Sequence, residues 1–479
     1  MMKDTRAMSA RIGSKTMLAV AKLLSILIAL TLAVRGIGAA PAQRPERTAH
    51  APSAGDYPSI QAAIDANPGR MVYVPPGDYE IAEKIRLTRD RSGLCGPGWI
   101  IQTNPDAPII EVVRAANVEI RGLTLTRPEG RRETRAEGVQ AVGCREPVLE
   151  NLRVLENHSS RSAIGLHGCD GAQVRNCLVR NYHRIDVDDR TKIPYYGYAF
   201  NCIAGFGIEA EHGSRVLIQG NRVIEERLRA TRELKEKLRL GQFVKKNPIK
   251  GTLMNQKFWD GEYAQNWHQG SAILVDGPQD AEAIQILGNY VENAGQGVDI
   301  HADRVTIAEN VVNNAHIGMK AMHGSRHVLI LGNQFIKNDL WSIGLMPGTA
   351  SHAARPARAG QPALADNGDG GSIIANNIIS AFGYGDSHWV WGSDNAPIKF
   401  DRGPLPDTPP LGEVIVQGNV VYDTGRDQSI VDGKPKTEPP RYRYAVLVAT
   451  GPGGPKGLHF SNNLLHPGTE GVSNVELKP

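Results

Sequence analysis

The sequence predicts an all-β, single-domain parallel β-helix solenoid that carries a helical and loop insertion. A short pattern, apolar-x-apolar-x-Gly/Asn-Asn, recurs along the chain, and from Asn289 onward its final Asn residues are 21, 23, 44, 42 and 44 positions apart. A second apolar strand follows each of these bends by about ten residues. A fixed period in the twenties with alternating apolar positions is typical of a solenoid of short stacked strands.

The copies of the bend pattern share the alternating apolar positions and the final Asn. They are Val216–Asn221, Ile284–Asn289, Val305–Asn310, Val328–Asn333, Ser372–Asn377, Val414–Asn419 and Leu458–Asn463. Asn tolerates the left-handed conformation of a tight bend, and stacked Asn amides can bond from coil to coil. We therefore expect these side chains to form one column.

The first 42 residues are expected to be a signal peptide. A basic stretch leads into the apolar run Leu23–Val34, and small residues follow up to Ala40-Pro41-Ala42, which has the pattern of a cleavage site. We therefore predict a secreted or periplasmic protein with no membrane contact after this peptide is removed.

The pattern divides the remaining chain into an N-terminal segment with a helical cap, residues 43–100, and the β-helix, residues 101–479. A charged stretch with helical apolar spacing interrupts the β-helix at 222–270. A second interruption, at 349–371, is rich in Ala, Pro and Gly and predicts a loose loop.

Composition excludes several classes of protein. Of 479 residues, 41% are hydrophobic and 22% are charged, which excludes a disordered chain and a multi-span membrane protein. Outside the first 42 residues the basic and acidic side chains nearly balance, so the net charge of +4 does not indicate a nucleic-acid partner. The five cysteines lack the spacing of a zinc site.

The second strand of each coil predicts a stripe of side chains that point away from the barrel core, because side chains alternate across a strand. The end coils place neutral groups there, and the middle coils place ionisable ones. This concentration predicts a substrate cleft. The catalytic candidates are Asp276, Asp299, His301 and Lys320, and the substrate-binding candidates are Glu209, Glu211, His323, Lys399 and Asp401.

Two carboxylates of the stripe have a spacing that suits catalysis. Asp276 and Asp299 lie one coil and two residues apart, hence roughly 8 Å. That separation falls within the ~6.5–9.5 Å window of inverting glycosidases, in which one acid protonates the leaving oxygen and the other activates water. Lys320 and Lys399 are expected to hold a substrate carboxylate.

Four of the six tryptophans lie in the interruptions of the repeat. They either cover the barrel flank or stack on sugar rings, since flat aromatic faces suit the apolar faces of pyranoses. The second interpretation makes them substrate-binding candidates: Trp259, Trp267, Trp389 and Trp391.

The opening of the chain resembles a known superfamily. The stretch Tyr57–Asp65, followed by Val72-Tyr-Val-Pro-Pro-Gly-Asp-Tyr79, is similar to the start of pectate-lyase-like, right-handed parallel β-helix proteins, and with the repeats the resemblance covers roughly residues 56–470. The superfamily includes polygalacturonases, polysaccharide lyases, mannuronan C5-epimerases and non-catalytic binding proteins. The resemblance implies a right-handed coil and leaves the reaction open.

One segment resembles a more specific element. Gly297-Val-Asp299-Ile-His301 is similar to the Tyr-Gly-x-Asp-Pro-His element of mannuronan C5-epimerases, with Gln296 and Ile300 in place of the Tyr and Pro. That resemblance implies that Asp299 and His301 take part in proton transfer at C5 of a uronate.

Three hypotheses about function follow. The leading one is an inverting glycoside hydrolase that cleaves a uronate-containing polysaccharide and needs no cofactor. The second is a polysaccharide lyase or uronate C5-epimerase that uses Asp299 and His301, for which Ca²⁺ on Glu209, Glu211 and Asp276 would be a cofactor. The third is a non-catalytic carbohydrate-binding β-helix. The excess of carboxylates over lysines in the stripe favours the first.

Overall fold

Each coil of the chain contributes one short strand to each of three parallel sheets, and each sheet has twelve strands. The structure, a computed structural model, describes residues 51–128, 134–188, 192–193, 197–198, 201–226, 270–358, 360–385, 394–422, 429–431, 434–436 and 439–479. Apolar side chains from all three sheets fill the space inside the coils. This is the parallel β-helix that the repeat predicts.

The three sheets run in the same order along the chain. The first sheet contains Met71–Tyr73, Gly93–Cys95, Glu119–Arg121, Val148–Glu150, Gln173–Arg175, Leu217–Gln219, Glu282–Leu287, Asp303–Ala308, Leu329–Leu331, Gly370–Ala375, Gly412–Gln417 and Lys456–Ser461. The second contains Asp78–Ile81, Trp99–Gln102, Thr124–Thr126, Arg153–Leu155, Leu178–Arg180, Arg222–Ile224, Tyr290–Glu292, Val311–Asn313, Gln334–Ile336, Ile378–Ser380, Val420–Tyr422 and Leu464–Leu465. The third contains Ile85–Leu87, Ile110–Val113, Val139–Val142, Ser162–His167, Phe206–Glu211, Ser271–Asp276, Gln296–His301, Ile317–Ala321, Trp341–Leu345, Ala396–Phe400, Tyr444–Val448 and Gly471–Ser473.

The coils begin at Met71, ahead of the predicted boundary at residue 101. The first-sheet strands of the two earliest coils run into Val74-Pro75 and Gly96-Pro97 instead of an Asn bend, so the repeat is not visible there. A short α-helix, Ile60–Ala66, precedes the coils, and the Ser59 side chain caps it by accepting a hydrogen bond from the Ala62 N–H. A 3₁₀ turn, Ala54–Asp56, lies before the helix.

The bend between the first and second sheets is held by a column of Asn side chains, as predicted, and all but the last of them, Asn463, are buried. From Asn289 onward, the Oδ1 atom of each Asn accepts a bond of 2.9–3.0 Å from the backbone N–H of the Asn one coil earlier. Oδ1 of Asn221, the first of the column, accepts the Cys177 N–H at 2.9 Å. The column contains Asn221, Asn289, Asn310, Asn333, Asn377, Asn419 and Asn463.

The left-handed backbone at this bend belongs to the residue before each column Asn, not to the Asn itself. Gly220 has φ +66°, Asn376 has φ +54° and Asn462 has φ +52°. Gly and Asn adopt this conformation most readily. The two residues of the bend therefore have different roles. The first adopts the left-handed conformation that makes the turn, and the second forms the hydrogen-bonded column.

The interruptions are partly described. At 222–270, Arg222–Ile224 is a strand of the second sheet, and residues 227–269, with the predicted helix, lie outside the described residues. The segment expected to be a loose loop at 349–371 is an antiparallel ribbon, with bridges His352–Asn367, Arg355–Leu364 and Arg358–Gln361.

Short antiparallel pairs also leave the coils: Arg184–Asp188 with Asn201–Ala204, Lys192–Ile193 with Gly197–Tyr198, and Ser429–Val431 with Lys434–Lys436. In the described part of the chain no helix is long and apolar enough to cross a membrane.

Candidate active site

The third sheet brings the predicted stripe together on neighbouring coils. Its register pairs Glu211 with Asp276, Asp276 with His301, and Asp299 with Lys320. Five side chains meet in the middle of this sheet and form what we call the central cluster: Asp276, Asp299, His301, Lys320 and His323.

Two glycines change the alignment that the sequence predicts. Gly165 is paired with Glu209, and Gly344 is paired with Lys320 and Lys399. Counting outward positions from the Gly that begins most of these strands would align His167 with Glu209, but His167 lies beside Glu211. The prediction was wrong here because Gly marks the start of the strand in most coils but holds an outward position in these two.

The imidazole of His301 lies between the two carboxylates that were expected to face each other. Its Nδ1 is 3.2 Å from Oδ1 of Asp276, and its Nε2 is 3.0 Å from Oδ1 of Asp299. The second oxygen of Asp299 is 3.4 Å from Nζ of Lys320. Asp276 and Asp299 are therefore linked through a ring and do not enclose an open space for water.

Asp276 and Asp299 differ in how far their side chains are exposed to solvent. The side chain of Asp276 is 38% exposed, whereas that of Asp299 is 7% exposed. Nε2 of His301 and Oδ1 of Asp299 are both buried, and their contact lacks hydrogen-bond alignment. Asp299 points away from the barrel core, as predicted, but neighbouring side chains cover it, so it is a buried charge and not a solvated one.

The charges of the central cluster stabilise one another. Burial alone would raise the pKa of Asp299, but the charges of His301 and Lys320 outweigh it and hold that pKa well below its usual value. Burial opposes protonation of His301, yet the charge of Asp299 and the bond to Asp276 raise its pKa to about 9. Burial also acts against ionisation of Asp276, but His301 lowers its pKa below the usual value. At neutral pH His301 is thus a cation between two carboxylates.

His323 completes the cluster as a neutral ring. Burial, and then the charges of His301 and Lys320, lower its pKa to about 4. Its ring packs edge-on against that of His301 with centroids 4.5 Å apart, and its Nδ1 accepts a bond of 3.2 Å from the Ala350 N–H. Because Nδ1 is an acceptor, the proton of the neutral ring is on Nε2.

A second group, the upstream cluster, contains Glu137, His167, Glu209 and Glu211. Nδ1 of His167 is 2.8 Å from Oε2 of Glu211, and its Nε2 is 3.4 Å from Oε1 of Glu137. Burial opposes the charge of His167, but the bonds to these two carboxylates raise its pKa to about 9. Burial raises the pKa of Glu209, which is 8% exposed and accepts a hydrogen bond from the Ser162 hydroxyl.

The predicted carboxylate-binding Lys399 lies in a third group, the downstream cluster. It is 5% exposed and is paired with Asp394 and, at 3.4 Å, with Asp401. Burial raises the pKa of Asp394, whose side chain is 41% exposed. Two carboxylates thus already neutralise Lys399, whereas Lys320, the other stripe lysine, belongs to the central cluster.

Sequence analysis missed three carboxylates that the structure places at the site. Glu137 pairs with His167, and Asp394 pairs with Lys399. Asp369 accepts bonds of 2.9 Å from the N–H groups of Gly324 and Ser325 and one from the Ser351 hydroxyl, and burial raises its pKa to about 6. All three lie outside the strands, where alternation gives no signal.

The remaining candidates are the predicted Ca²⁺ ligands and the predicted stacking tryptophans. Oxygens of Glu209 and Glu211 are bonded to Ser162 and His167, and no three His, Cys, Asp or Glu side chains in the described ranges are grouped as metal ligands would be. A Ca²⁺ site therefore stays a prediction that this geometry does not favour. The four predicted stacking tryptophans lie outside the described residues: Trp259, Trp267, Trp389 and Trp391.

Comparisons with known proteins identify the class of fold. No family model and no curated protein sequence matches the chain. Among solved structures, the catalytic domain of a GH87 α-1,3-glucanase in complex with nigerose has a TM-score of 0.52 at 12% identity, over 91% of this chain and 67% of that one. The A-module of a mannuronan C-5 epimerase from Azotobacter vinelandii has a TM-score of 0.47 at 14% identity, over 87% of this chain and 99% of that one. The protein is a right-handed parallel β-helix, as its opening sequence implies.

Proposed function

We propose that the protein is a carbohydrate-active enzyme that hydrolyses glycosidic bonds of a polysaccharide, with Asp276 as the general base and Glu209 as the general acid. The observation that carries this proposal is that two carboxylates on neighbouring coils have pKa values displaced in opposite directions. The pKa of Asp276 is lowered and that of Glu209 is raised. Pairs of acids displaced in this way divide the base and acid roles in glycosidases.

The spacing of this pair suits inversion. Glu211 is the Cα partner of Asp276, and Glu209 lies two residues before Glu211 in the same strand. With ~4.8 Å between strands and ~3.3 Å per residue, the two Cα atoms are roughly 8 Å apart. Inverting enzymes place their carboxyl groups ~6.5–9.5 Å apart, which leaves room for the attacking water.

Asp299 is unsuited to the acid role that its spacing from Asp276 first suggested. A general acid is favoured by a pKa above that of an ordinary carboxyl group. The charges of His301 and Lys320 keep Asp299 ionised, whereas Glu209 has the apolar Leu274 as its Cα partner and is desolvated. Asp299, His301 and Lys320 are therefore positioning residues that keep Asp276 ionised and oriented.

The lyase or epimerase alternative needs a base that reaches the C5 proton of a uronate. His301 is the residue that the resemblance assigns to proton transfer, but its Nδ1 faces Asp276 and its buried Nε2 faces Asp299. Neither nitrogen is open to a substrate in this arrangement. The outward face of the third sheet, which we propose as the substrate groove, also holds more carboxylates than cations, which favours a substrate that is not densely anionic.

The test is digestion of a panel that contains neutral, uronate-containing and amino-sugar polysaccharides. We expect new reducing ends without ultraviolet absorbance. Equal absorbance would mean an unsaturated uronate and a lyase, and a changed uronate composition without cleavage would mean an epimerase. Asp276→Asn and Glu209→Gln should each lower turnover by about 10²–10⁴-fold, and Glu80→Gln, at an exposed carboxylate of the second sheet, is the control. Binding without turnover on every polymer would leave only the carbohydrate-binding hypothesis.

A further inference from the structure

We propose that Trp341 forms a sugar-stacking subsite in the same groove, for a pyranose ring of the chain that lies away from the cleaved bond. The inference rests on the proposed function. Trp341 begins the strand Trp341–Leu345 of the third sheet, three strands after the strand that carries Asp276. It is half-buried.

The indole of Trp341 occupies a place that other coils fill with charged side chains. Gly344 is the Cα partner of both Lys320 and Lys399, so an outward side chain is missing there. A β-carbon at Gly344 would lie 3.1 Å from Cε3 of Trp341 and 3.2 Å from the methyl group of Met346. The absent side chain thus makes room for the indole and a thioether, which form an apolar patch in an otherwise charged stripe.

The ring of Trp341 is held in place before any ligand binds. Its Nε1–H donates to the backbone carbonyl of Asp394 at 3.0 Å. The polar edge of the indole is therefore satisfied by the protein, and the accessible part of the ring is apolar. A ring that is already oriented loses little conformational freedom when it contacts a ligand.

The surroundings indicate the class of ligand. Pyranose rings have apolar faces and a rim of hydroxyl groups, and they suit an aromatic surface bordered by a few polar groups. The patch has Lys320 on one side, and on the other the Asp394 carboxylate, whose side chain is 41% exposed and can accept bonds from hydroxyls. Three strand spacings put Trp341 roughly 14 Å from Asp276 along the coil axis. The sugar it contacts is therefore several units from the reacting bond.

The test measures binding separately from turnover. Both proteins carry Asp276→Asn, and binding of the polysaccharide that the wild type cleaves is measured by affinity electrophoresis or calorimetry. Trp341→Ala should raise the dissociation constant about tenfold, which corresponds to a loss of ~1.4 kcal/mol of binding free energy. Trp341→Phe should restore most of the affinity. Trp99→Ala, which removes a 42%-exposed tryptophan from the second sheet, is the matched control and should bind like its parent.

Chain length gives a second measurement. With Asp276 intact, Trp341→Ala should raise KM for the polymer about tenfold and leave kcat/KM unchanged for an oligosaccharide too short to reach the patch. Unchanged polymer binding in Trp341→Ala, with a normal thermal unfolding curve, would overturn the inference while the proposed function stands. If no polysaccharide is bound or cleaved by the wild type, the proposed function itself fails, and the inference fails with it.

Discussion

Nδ1 of His301 lies 3.2 Å from Oδ1 of Asp276, and this contact ties the half-exposed carboxylate of the groove to a buried ion pair beneath it. His301 is in turn held by Asp299, which Lys320 also contacts. Through this arrangement His301 lowers the pKa of Asp276 and keeps that carboxylate ionised.

Replacing either proposed catalytic carboxylate should remove activity without unfolding the protein. Asp276→Asn and Glu209→Gln keep side-chain size and hydrogen-bonding capacity, so we expect the fold to be retained. General acid or base catalysis contributes about 10²–10⁴-fold, and kcat should fall by that factor in each variant. Reducing-end assays at saturating substrate measure the loss. If Asp276→Asn kept more than about a tenth of the wild-type activity, Asp276 would not be the general base.

The acidic limb of the pH profile should depend on His301. A general base works only when ionised, so kcat/KM rises with pH through the pKa of Asp276, which His301 lowers. In His301→Gln that pKa returns toward its ordinary value, and the acidic limb should move to higher pH with a modest loss at the optimum. If His301 instead exchanged a proton with the substrate, His301→Gln would be nearly inactive at every pH.

The fold was more predictable than the site. The Asn column and the alternating strands follow from local sequence, because most coils from Asn221 onward repeat the same bend between Gly or Asn and Asn. The start of the coils was missed where Val74-Pro75 and Gly96-Pro97 replace that bend. Alternation correctly predicted which side chains leave the core.

Alternation does not predict how deeply those side chains are covered. Asp299 and Asp276 both point outward, but only Asp299 is enclosed by His301 and Lys320 from neighbouring positions. Trp341 was missed for a related reason. It lies inside the repeat, and its exposure to the groove depends on a glycine, Gly344, whose register the sequence did not reveal.

Asp299 should matter more for stability than an outward carboxylate normally does. Asp299→Asn removes the carboxylate that Lys320 contacts and leaves His301 with Asp276 alone, and breaking a buried pair in this way costs about 3–5 kcal/mol of unfolding free energy. Urea unfolding followed by circular dichroism measures the change. Asp401→Asn is a milder comparison, since Lys399 keeps Asp394. A cost below about 1 kcal/mol for Asp299→Asn would mean that the pair is effectively solvated.

The contact between His301 and Asp299 should also determine how the stability of the protein changes with pH. The pKa of His301 is raised in the folded state to about 9, from an unfolded value of ~6.5. Its stabilising contribution is fully present below ~6.5 and is lost as the pH rises through about 9. His167, also raised to about 9, adds to the same loss. Unfolding free energy should therefore fall between pH 7 and 9.5, and the fall should be smaller in His301→Gln.

The Asn column should be a sensitive part of the fold. Asn310 accepts the backbone N–H of Asn289 through Oδ1, and its Nδ2 donates to Oδ1 of Asn333 and to the carbonyl of Ile286. Asn310→Ala leaves the buried backbone N–H of Asn289 without its acceptor, although Oδ1 of Asn333 keeps the backbone N–H of residue 310. Unsatisfied buried polar groups cost about 1–3 kcal/mol each. We expect a loss of at least ~2 kcal/mol in unfolding free energy from denaturant titration. Asn313→Ala, in the same coil but half-buried with one bond of 3.3 Å to Glu292, should cost under ~1 kcal/mol. Equal losses in the two variants would show that the column adds nothing beyond ordinary side-chain hydrogen bonding.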